Sequence, residues 1–323
     1  MTSRTAGIVA AAAVALAAPG VARADTNADR ARAAEAQLGA TVGHRTLRAW
    51  PSSQVAAAAI AVGALPDATR AERLSAAARV RQLERYRDAR GYHAERGGDV
   101  YVDDNEWIAL DQLDWSLALL QQASRTFGLV VHEWDGGRKH ACPGGVYWTE
   151  AKGNRDRNAV TTATGALLGL RLYEFAPRPE LLWWSRRMLG WLDTCLRGPR
   201  GLYYDHLRAD GSVDRTAWSY NQGSVIGADV LLYRLENDGA ALANAESVAA
   251  ASLPYLAPAT TEPPEFVAIL ARDLLELGAA DGDPRWRAAV QAWVDASWLR
   301  PHARLMTQAA LVQVYALLAT TAA

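Results

Sequence analysis

Residues 158–174 read NAVTTATGALLGLRLYE, and this stretch decides the fold class of the chain. Its apolar side chains at Val160, Ala163, Leu167 and Leu170 recur at steps of three, four and three residues. That spacing places them on one face of an α-helix, because a helix completes a turn about every 3.6 residues. The stretch therefore predicts a helix that packs against neighbouring helices.

Two glycines, Gly165 and Gly169, lie about one turn apart in the same stretch. A residue without a side chain allows a second helix to approach the backbone closely. We therefore expect tight contact between helices at this point of the fold.

Similar runs rich in Ala, Leu and Arg follow one another along the chain, whereas strand-like alternation is scarce. One run carries Leu110, Leu113, Leu117 and Leu120, again at steps of three, four and three. No Pro- or Ser-rich linker divides the chain, so a single all-α domain is the simplest interpretation. We predict helices at 70–87, 107–122, 158–174, 179–196, 224–236, 241–251, 266–277, 284–296 and 307–320.

Loops of shared composition precede several of these helices. Segments 97–104, 144–148 and 201–205 each combine glycine, an aromatic residue and polar groups shortly before a helical run. The arrangement indicates helical hairpins repeated around a ring, with similar loops gathered on one rim. Loops held by a rigid scaffold are a common place for functional residues.

The chain has 323 residues and a formal net charge of −1, with 12 Trp and 11 Tyr against 3 Phe. Because the charge is nearly balanced and no basic cluster is present, we expect no nucleic-acid partner. Trp and Tyr have a polar tip and are typical of surfaces that stack on wet ligands such as sugars. Packing between helices accounts for these rings equally well, so composition leaves both interpretations open.

Residues 1–24 have the features of a secretory signal peptide. Arg4 precedes an apolar run at 8–18, which is too short to span a bilayer, and a small-x-small cleavage pattern ends at Ala24. We therefore expect a mature domain at 25–323 that is secreted or held in the cell envelope. We also expect no membrane insertion after cleavage.

The chain contains two cysteines, Cys142 and Cys195. Export permits a disulfide between them, but the sequence gives no distance, so the pairing stays open. Neither cysteine lies in a CxxC pattern, so we predict no metal site. We also predict no cofactor, because the sequence has no nucleotide-binding motif.

The candidate catalytic residues are the adjacent acids Asp103 and Asp104. Glycosidic bonds are commonly cleaved by two carboxyl groups, which lie roughly 5 Å apart in retaining enzymes. Neighbouring residues at a helix entry can reach that separation, and their like charges raise one pKa, as a proton donor requires. Asp103 and Glu106 also form a capping-box-like pattern, so a structural role at a helix start is the alternative.

Aromatic residues flank the acid pair at Tyr101, Trp107 and Trp115. Such rings favour a sugar site over a simple helix cap. Two further acids, Asp111 and Asp114, either share the helical face of the pair or are solvated, and we favour solvation.

Four ordered segments carry a resemblance to a known family. They read YVDDNEW at 101–107, GGVYW at 144–148 followed by Asn158, GLYYDH at 201–206 and WSYNQG at 218–223. Together they resemble the motifs of glycoside hydrolase family 76, the endo-α-1,6-mannanases. The resemblance extends over about residues 45–320, nearly the whole predicted mature chain.

The resemblance implies an (α/α)6 barrel of helical hairpins and a retaining mechanism. It implies that Asp103 is the nucleophile and Asp104 the general acid/base, a division that the residues alone do not decide. Each implied tryptophan platform for a pyranose ring has core packing as its alternative, and the Asn-Gln pair can instead be a polar turn. The implied substrate-binding residues are Trp107, Trp148, Asn158, Asp205, Trp218, Tyr220, Asn221 and Gln222.

The sequence departs from the family pattern at three points. Arg157 stands where Lys is usual, and His206 stands where Gly is usual. The late segment 264–272 keeps little of the family motif beyond Phe266 and Arg272. These departures concern the subsites and leave the acid pair in place.

Other nucleophiles find little support in the sequence. No Gly-x-Ser-x-Gly elbow is present. The six histidines are scattered, and His132, His140 and His206 lie in predicted rim loops, where they can face solvent.

We therefore predict a secreted, monomeric glycoside hydrolase that acts on α-1,6-linked mannan or mannooligosaccharides. A transglycosylase would use the same covalent intermediate and differ only in its acceptor. A non-enzymatic glycan-binding envelope protein would bind mannan without turnover, and the retained acid pair argues against it. Another (α/α)6 enzyme, such as an unsaturated uronyl hydrolase or a sugar epimerase, would need differently placed acids, His or Arg.

Overall fold

The computed structural model describes residues 26–137, 139–258, 260–298 and 304–321, so the predicted signal peptide at 1–24 lies outside the described residues. Within those ranges no helix combines the length and the apolar character of a membrane span. Short 3₁₀ helices lie at Glu84–Tyr86, Leu117–Leu119 and Leu253–Leu256. The α-helices of the described residues are α1 (Asn27–Val42), α2 (Ala49–Gly63), α3 (Arg70–Leu83), α4 (Val102–Trp115), α5 (Leu120–His132), α6 (Ala159–Phe175), α7 (Pro179–Cys195), α8 (Ser219–Glu236), α9 (Gly239–Ser252), α10 (Pro264–Asp281), α11 (Pro284–Trp298) and α12 (Leu305–Thr320).

The even-numbered helices form a closed inner ring. Each packs against the next, from α2 through α4, α6, α8 and α10 to α12, and α12 packs back against α2. The odd-numbered helices pack around the outside of this ring. The predicted (α/α)6 barrel of helical hairpins is therefore confirmed.

Helix α6 illustrates why these sequences form the inner ring. Every residue from Ala159 to Leu170 is buried, because neighbouring helices cover α6 on all sides. Outer helix α7, by contrast, leaves Trp183, Arg186 and Arg187 exposed. A helix that is largely apolar all round belongs in an interior, whereas an amphipathic helix belongs at a surface.

The close approach predicted at Gly165 and Gly169 is confirmed. A methyl group on Gly165 would lie 2.7 Å from the side chain of Val130, and one on Gly169 would lie 2.4 Å from the Ser185 hydroxyl. These contacts bring α5 and α7 against α6. Any larger residue at either position would push the hairpins apart.

The helix predicted at 107–122 is wrong. Helix α4 ends at Trp115, and the backbone of Ser116 is extended (φ −166°, ψ 129°), with its side chain accepting a hydrogen bond from the Ala118 amide. A short 3₁₀ helix follows at Leu117–Leu119, and helix α5 begins separately at Leu120. The leucine spacing continued across this break, but Leu117 is exposed and takes no part in the buried face.

Cys142 and Cys195 form a disulfide, with their Cα atoms 6.1 Å apart. The bond joins the loop after α5 to the last residue of α7 and closes a separation of 53 residues. A cross-link of this kind stabilises a fold by about 2–4 kcal/mol, in large part by restricting the unfolded chain. Here it also anchors the segment that leads into the GGVYW loop at 144–148.

A three-stranded antiparallel sheet covers part of one end of the barrel. It consists of β1 (Arg157–Asn158), β2 (His206–Leu207) and β3 (Val213–Asp214), in that order. The register pairs Asn158 with His206 and His206 with Asp214. The sheet thereby joins the segment that follows the predicted rim loop at 144–148 to the residues that follow the predicted rim loop at 201–205.

Candidate active site

A pocket of about 320 Å³ opens where the inner helices begin. Helices α2, α4, α8 and α10 contribute side chains from their first or second turns, and the loops before α6 and α8 supply the rest. Helix N-termini carry partial positive charge, which favours acidic groups at this end of the barrel. The lining residues are Trp50, Asp103, Asp104, Trp107, Trp148, Asp156, Asn158, Asp205, His206, Tyr220 and Phe266.

The GGVYW loop is fastened to the start of α4. The Val102 amide donates to the carbonyl of Trp148 (2.9 Å), and the Trp148 amide donates to the carbonyl of Asp156 (3.1 Å). These backbone contacts hold the Trp148 ring against Tyr101, with ring centroids 4.9 Å apart. Trp148 is thereby held beside Asp103 and Asp104.

A buried ion pair also stabilises the GGVYW loop. The Arg157 guanidinium lies 3.0 Å from the Asp135 carboxylate, and both side chains are only 1% exposed. Arg157 also donates to the carbonyls of Ala141 and Cys142, each at 3.0 Å. These acceptors offset the burial of the terminal nitrogens, whereas Nε has no hydrogen-bond partner among the described residues. The departure from Lys at this position therefore serves the loop scaffold.

Asp103 receives two hydrogen bonds. The Trp148 indole Nε1 donates to Oδ2 at 3.1 Å, and the Asp104 amide donates to Oδ1 at 3.0 Å. Burial raises the pKa of Asp103 to about 6, and the nearby Asp205 carboxylate adds to the rise. The two hydrogen bonds act in the opposite direction and lower this pKa. Both donors favour the ionised form of this carboxyl.

Asp104 has a different environment. Among the described residues, none donates a hydrogen bond to its carboxyl group. Burial, followed by the charge of Asp103, raises the pKa of Asp104 well above its usual range, and Arg48 opposes this only in part. Asp103 therefore ionises more readily than Asp104, because Asp103 alone has donors that stabilise its charge.

The capping-box alternative for the acid pair is wrong. Tyr101 is the N-cap of α4 and makes no side-chain capping hydrogen bond. Glu106 is fully buried, and within the described residues neither of its carboxyl oxygens has a hydrogen-bond partner. Burial, and then the charge of Asp103, raises the pKa of Glu106 well above its usual range. Glu106 thus lies inside the barrel rather than at a helix cap.

The predicted solvation of Asp111 is also wrong, because its side chain is buried, and burial raises its pKa well above the usual range. Asp114 is exposed, as predicted, and its carboxylate lies 2.7 Å from the Arg171 guanidinium. Neither residue lines the pocket. The two acids therefore belong to the barrel interior and its edge.

The predicted aromatic platforms divide between the pocket and its supports. Trp107 and Trp148 line the pocket, and Trp50, which the sequence did not single out, lies 6.2 Å from Trp107 between ring centroids. Tyr220 also lines the pocket and stacks on Phe266 at 4.1 Å.

Trp218 instead packs against the edge of Phe266 (5.7 Å) and does not line the pocket. It therefore supports the pocket wall rather than forming it.

Asn221 and Gln222 also lie behind the wall of the pocket. Gln222 is fully buried and binds both the amide and the carbonyl of Tyr203, at 2.8 and 2.9 Å. It thus holds the 201–206 loop against α8. Asn221 is fully buried, and neither amide atom has a partner among the described residues.

Asn158 and Asp205 both line the pocket, as the sequence predicted for substrate-binding residues. The Ala159 amide donates to the carbonyl of Asp205 at 2.7 Å, which brings the two residues together. Within the described part of the chain, Asn158 Oδ1 and Asp205 Oδ1 are buried and have no hydrogen-bond partner. Both atoms are acceptors available to a ligand that brings hydroxyl groups.

The sequence missed four lining residues, among them His206, which the sequence allowed to face solvent but did not assign to the site. The His206 side chain is 15% exposed, and its Nδ1 lies 2.9 Å from Asp205 Oδ2. The feature of the sequence that could have identified His206 is its position in a family motif, where it replaces the usual glycine. The signal for Phe266 was the opposite one, its retention in a late segment that otherwise departs from the family motif, whereas Trp50 and Asp156 had no signal beyond residue type.

Comparison with known proteins identifies the family. The sequence model described as Glycosyl hydrolase family 76 matches residues 28–277. A search of curated protein sequences gave no match.

Solved structures share the fold. The glycoside hydrolase family 76 mannosidase Bt3792 from Bacteroides thetaiotaomicron VPI-5482 has a TM-score of 0.79 at 20% identity, covering 91% of this chain and 98% of its own. The GH76A α-1,6-mannanase from Salegentibacter sp. HEL1_6 has a TM-score of 0.76 at 19% identity, covering 92% and 100%. An inactive variant of that mannanase with two Asp→Asn substitutions, in complex with α-1,6-mannotriose, has a TM-score of 0.76 at 18% identity, covering 92% and 100%.

At these identities the structural likeness establishes the fold alone. The family model, however, matches most of the sequence, from the start of α1 to the last turns of α10. The resemblance inferred from the four ordered motifs is thereby confirmed, and the chain belongs to glycosyl hydrolase family 76.

Proposed function

We propose that this protein is a secreted glycoside hydrolase that cleaves α-1,6-mannosidic linkages in mannan-type polysaccharide by a retaining mechanism. One observation carries the proposal: two adjacent carboxyl groups share an aromatic-lined pocket but differ in their hydrogen-bond donors. Paired carboxyl groups with separated pKa values are what acid-assisted cleavage of a glycosidic bond requires.

The substrate class follows from the pocket and from the relatives. Indole and phenol rings beside buried acceptors suit a ligand that has apolar ring faces and many hydroxyl groups. Structures in the same family include an α-1,6-mannanase and a variant of it in complex with α-1,6-mannotriose. An α-1,6-linked mannan or mannooligosaccharide is therefore the substrate to test first.

The first chemical step uses both acids. In our proposal, Asp103 attacks the anomeric carbon as a carboxylate, while Asp104 gives its proton to the departing glycosidic oxygen. The Trp148 and Asp104 donors on Asp103 support its role as the ionised partner, and the raised pKa of Asp104 supports its role as the acid. The product of this step is a covalent mannosyl ester of Asp103.

The second step reverses the roles of proton donor and acceptor. Asp104, now ionised, removes a proton from water, and that water attacks the anomeric carbon and releases Asp103. Asn158 and Asp205 would accept hydrogen bonds from sugar hydroxyls, while Trp107 and Trp148 would face the pyranose rings. Trp218, Asn221 and Gln222 would act indirectly, through the wall that they support.

The cellular setting is part of the proposal. Residues 1–24 would be removed as a signal peptide, which leaves 25–323 as one catalytic domain that works as a monomer. The Cys142–Cys195 disulfide supports an oxidising compartment, since such bonds persist mainly outside the cytosol. The near-neutral charge supports a glycan rather than a nucleic acid as the partner.

Digestion of linear α-1,6-mannan should release mannooligosaccharides that sizing by chromatography or mass spectrometry detects. α-1,2- and α-1,3-mannans and β-mannan serve as linkage controls and should stay intact. Cleavage of a control polymer with no release from α-1,6-mannan would contradict the proposed substrate. Products longer than a defined oligosaccharide substrate would identify the protein as a transglycosylase instead.

Asp103→Asn and Asp104→Asn should each reduce kcat/KM on α-1,6-mannan by about a thousandfold or more, because each removes one partner of the chemistry. The two variants should separate on an aryl α-mannoside with an activated leaving group. Such a leaving group needs no proton, so Asp104→Asn should still release a burst of the aryl alcohol, whereas Asp103→Asn should not.

Asp210→Asn, in an exposed turn outside the pocket, is the matched control and should retain full activity. The opposite order of burst activity would reverse the assigned roles. Full activity in either pocket variant, with folding unchanged by circular dichroism, would remove that acid from the mechanism.

The pH profile of kcat/KM should be bell-shaped, since Asp103 must be ionised and Asp104 protonated. Activity should rise with pH through the pKa of Asp103, near 6, and fall at higher pH as Asp104 loses its proton. Trp148→Phe removes a donor to the Asp103 carboxylate, so the acid limb should move to higher pH. Trp183→Phe, at an exposed position on α7, is the control, and an unmoved acid limb in Trp148→Phe would contradict this account.

A further inference from the structure

His206 occupies a position in the pocket where the family motif usually has glycine. Its imidazole lies between two carboxylates, with Nδ1 2.9 Å from Asp205 Oδ2 and Nε2 3.8 Å from Asp156 Oδ2. Among the pocket-lining side chains of the described residues, His206 is the only basic one. The same pocket lining contains four acids: Asp103, Asp104, Asp156 and Asp205.

The small sheet fixes the position of this imidazole. His206 is on the central strand β2, paired with Asn158 on one side and Asp214 on the other. Four charged groups therefore surround the imidazole. Asp205 directly precedes β2 and Arg208 directly follows it, while Asp156 precedes β1 and Asp214 lies on β3. The hydrogen bond to Asp205 makes the largest contribution to the raised pKa of His206. Burial and, more weakly, Arg208 oppose the imidazolium, while the three acids favour it.

The hydrogen bond divides the two oxygens of Asp205. Oδ2 is held by His206, whereas Oδ1 is buried and has no partner among the described residues. An unpaired buried acceptor is costly, so its persistence points to a ligand that supplies the donor. Asn158 Oδ1, on the strand next to His206, is a second acceptor of the same kind.

Asp205 also acts on the acid pair at a distance. Its negative charge contributes to the raised pKa of Asp103. The protonated imidazole of His206, hydrogen-bonded to Asp205, offsets that negative charge. Because the pKa of His206 is raised above its ordinary value of 6.5, the imidazole is protonated in the pH range where Asp103 titrates. The same imidazole thus affects both a sugar-binding acceptor and the ionisation of the nucleophile.

We propose that His206 is a positioning residue: it orients Asp205 so that Oδ1 receives a sugar hydroxyl, and it neutralises the charge of Asp205 near Asp103. The inference rests on the proposed function, because it assigns Asp205 to mannose binding and Asp103 to nucleophilic attack. His206 does not touch the reacting atoms and works through Asp205.

Two substitutions separate the hydrogen bond from the charge. His206→Ala removes both, so KM for α-1,6-mannotetraose should rise about tenfold or more and the acid limb of kcat/KM should move to higher pH by about 0.5. His206→Asn retains a neutral donor near the position of Nδ1, so KM should recover while the acid limb stays displaced. His132→Ala, an exposed histidine next to Glu133, is the matched control and should change neither quantity.

These readouts distinguish positioning from mere structural support. Loss of structure would lower activity and thermal stability together and leave the pH profile in place. Unchanged KM in His206→Ala, or an acid limb that does not move in either variant, would overturn the proposal.

A second measurement does not depend on activity. In NMR titrations of ¹³C-histidine-labelled protein, the signal missing from His206→Asn identifies His206, and its pKa should exceed 6.5 and fall in Asp205→Asn. A pKa at or below 6.5, or one that Asp205→Asn does not change, would overturn the inference. If wild-type protein leaves α-1,6-mannan intact while this titration behaves as expected, the proposed function fails and the His206–Asp205 coupling stands.

Discussion

Closure of the inner helical ring is the constraint on which the rest of the structure depends. Each inner helix is covered on nearly all sides, so its middle turns can carry few groups except small, apolar or internally bonded ones, as α6 illustrates. Arg272, one of the charged residues inside the barrel, is beside Asp273 and lies 5.8 Å from the ring of Trp107. Glu106, by contrast, is buried with no hydrogen-bond partner among the described residues, and its pKa is raised. Most polar chemistry is therefore displaced to the ends of the helices, and the first turns of four inner helices meet in one pocket.

The loops before α6 and α8 supply the remaining walls of the pocket. The disulfide, the buried Arg157–Asp135 pair and the three-stranded sheet all stabilise the segment that carries Trp148 to Asp103. Together with the Asp104 amide, this indole donor distinguishes Asp103 from its neighbour, because no donor reaches the Asp104 carboxyl group in the described part of the chain. The division of roles in the proposed mechanism thus depends in part on the scaffold that holds the loop, and not on the two aspartates alone.

Much of the fold could be predicted from the sequence, because a buried ring of helices leaves strong apolar periodicity. Helix α6 was predicted at 158–174 and α7 at 179–196, each within a residue or so of its observed bounds. The break at Ser116 could not be predicted, since leucine spacing reports which residues share a face and is silent about backbone direction. Helices α1 and α2 were missed because alanine is the commonest residue in both, and its small side chain gives little contrast between a buried and an exposed face.

The site was predicted where short motifs place residues at helix entries, as for Asp103, Asp104 and Asn158. It was not predicted where burial depends on the neighbouring loop: Gln222 turns toward Tyr203, while His206 turns into the pocket. Direct attack of the Asp103 carboxylate on the sugar predicts retention of the anomeric configuration, and the anomeric form of the first product tests this most directly. Proton NMR during hydrolysis of an α-1,6-mannooligosaccharide should show the α-anomer at the new reducing end before mutarotation, whereas initial appearance of the β-anomer would contradict the account.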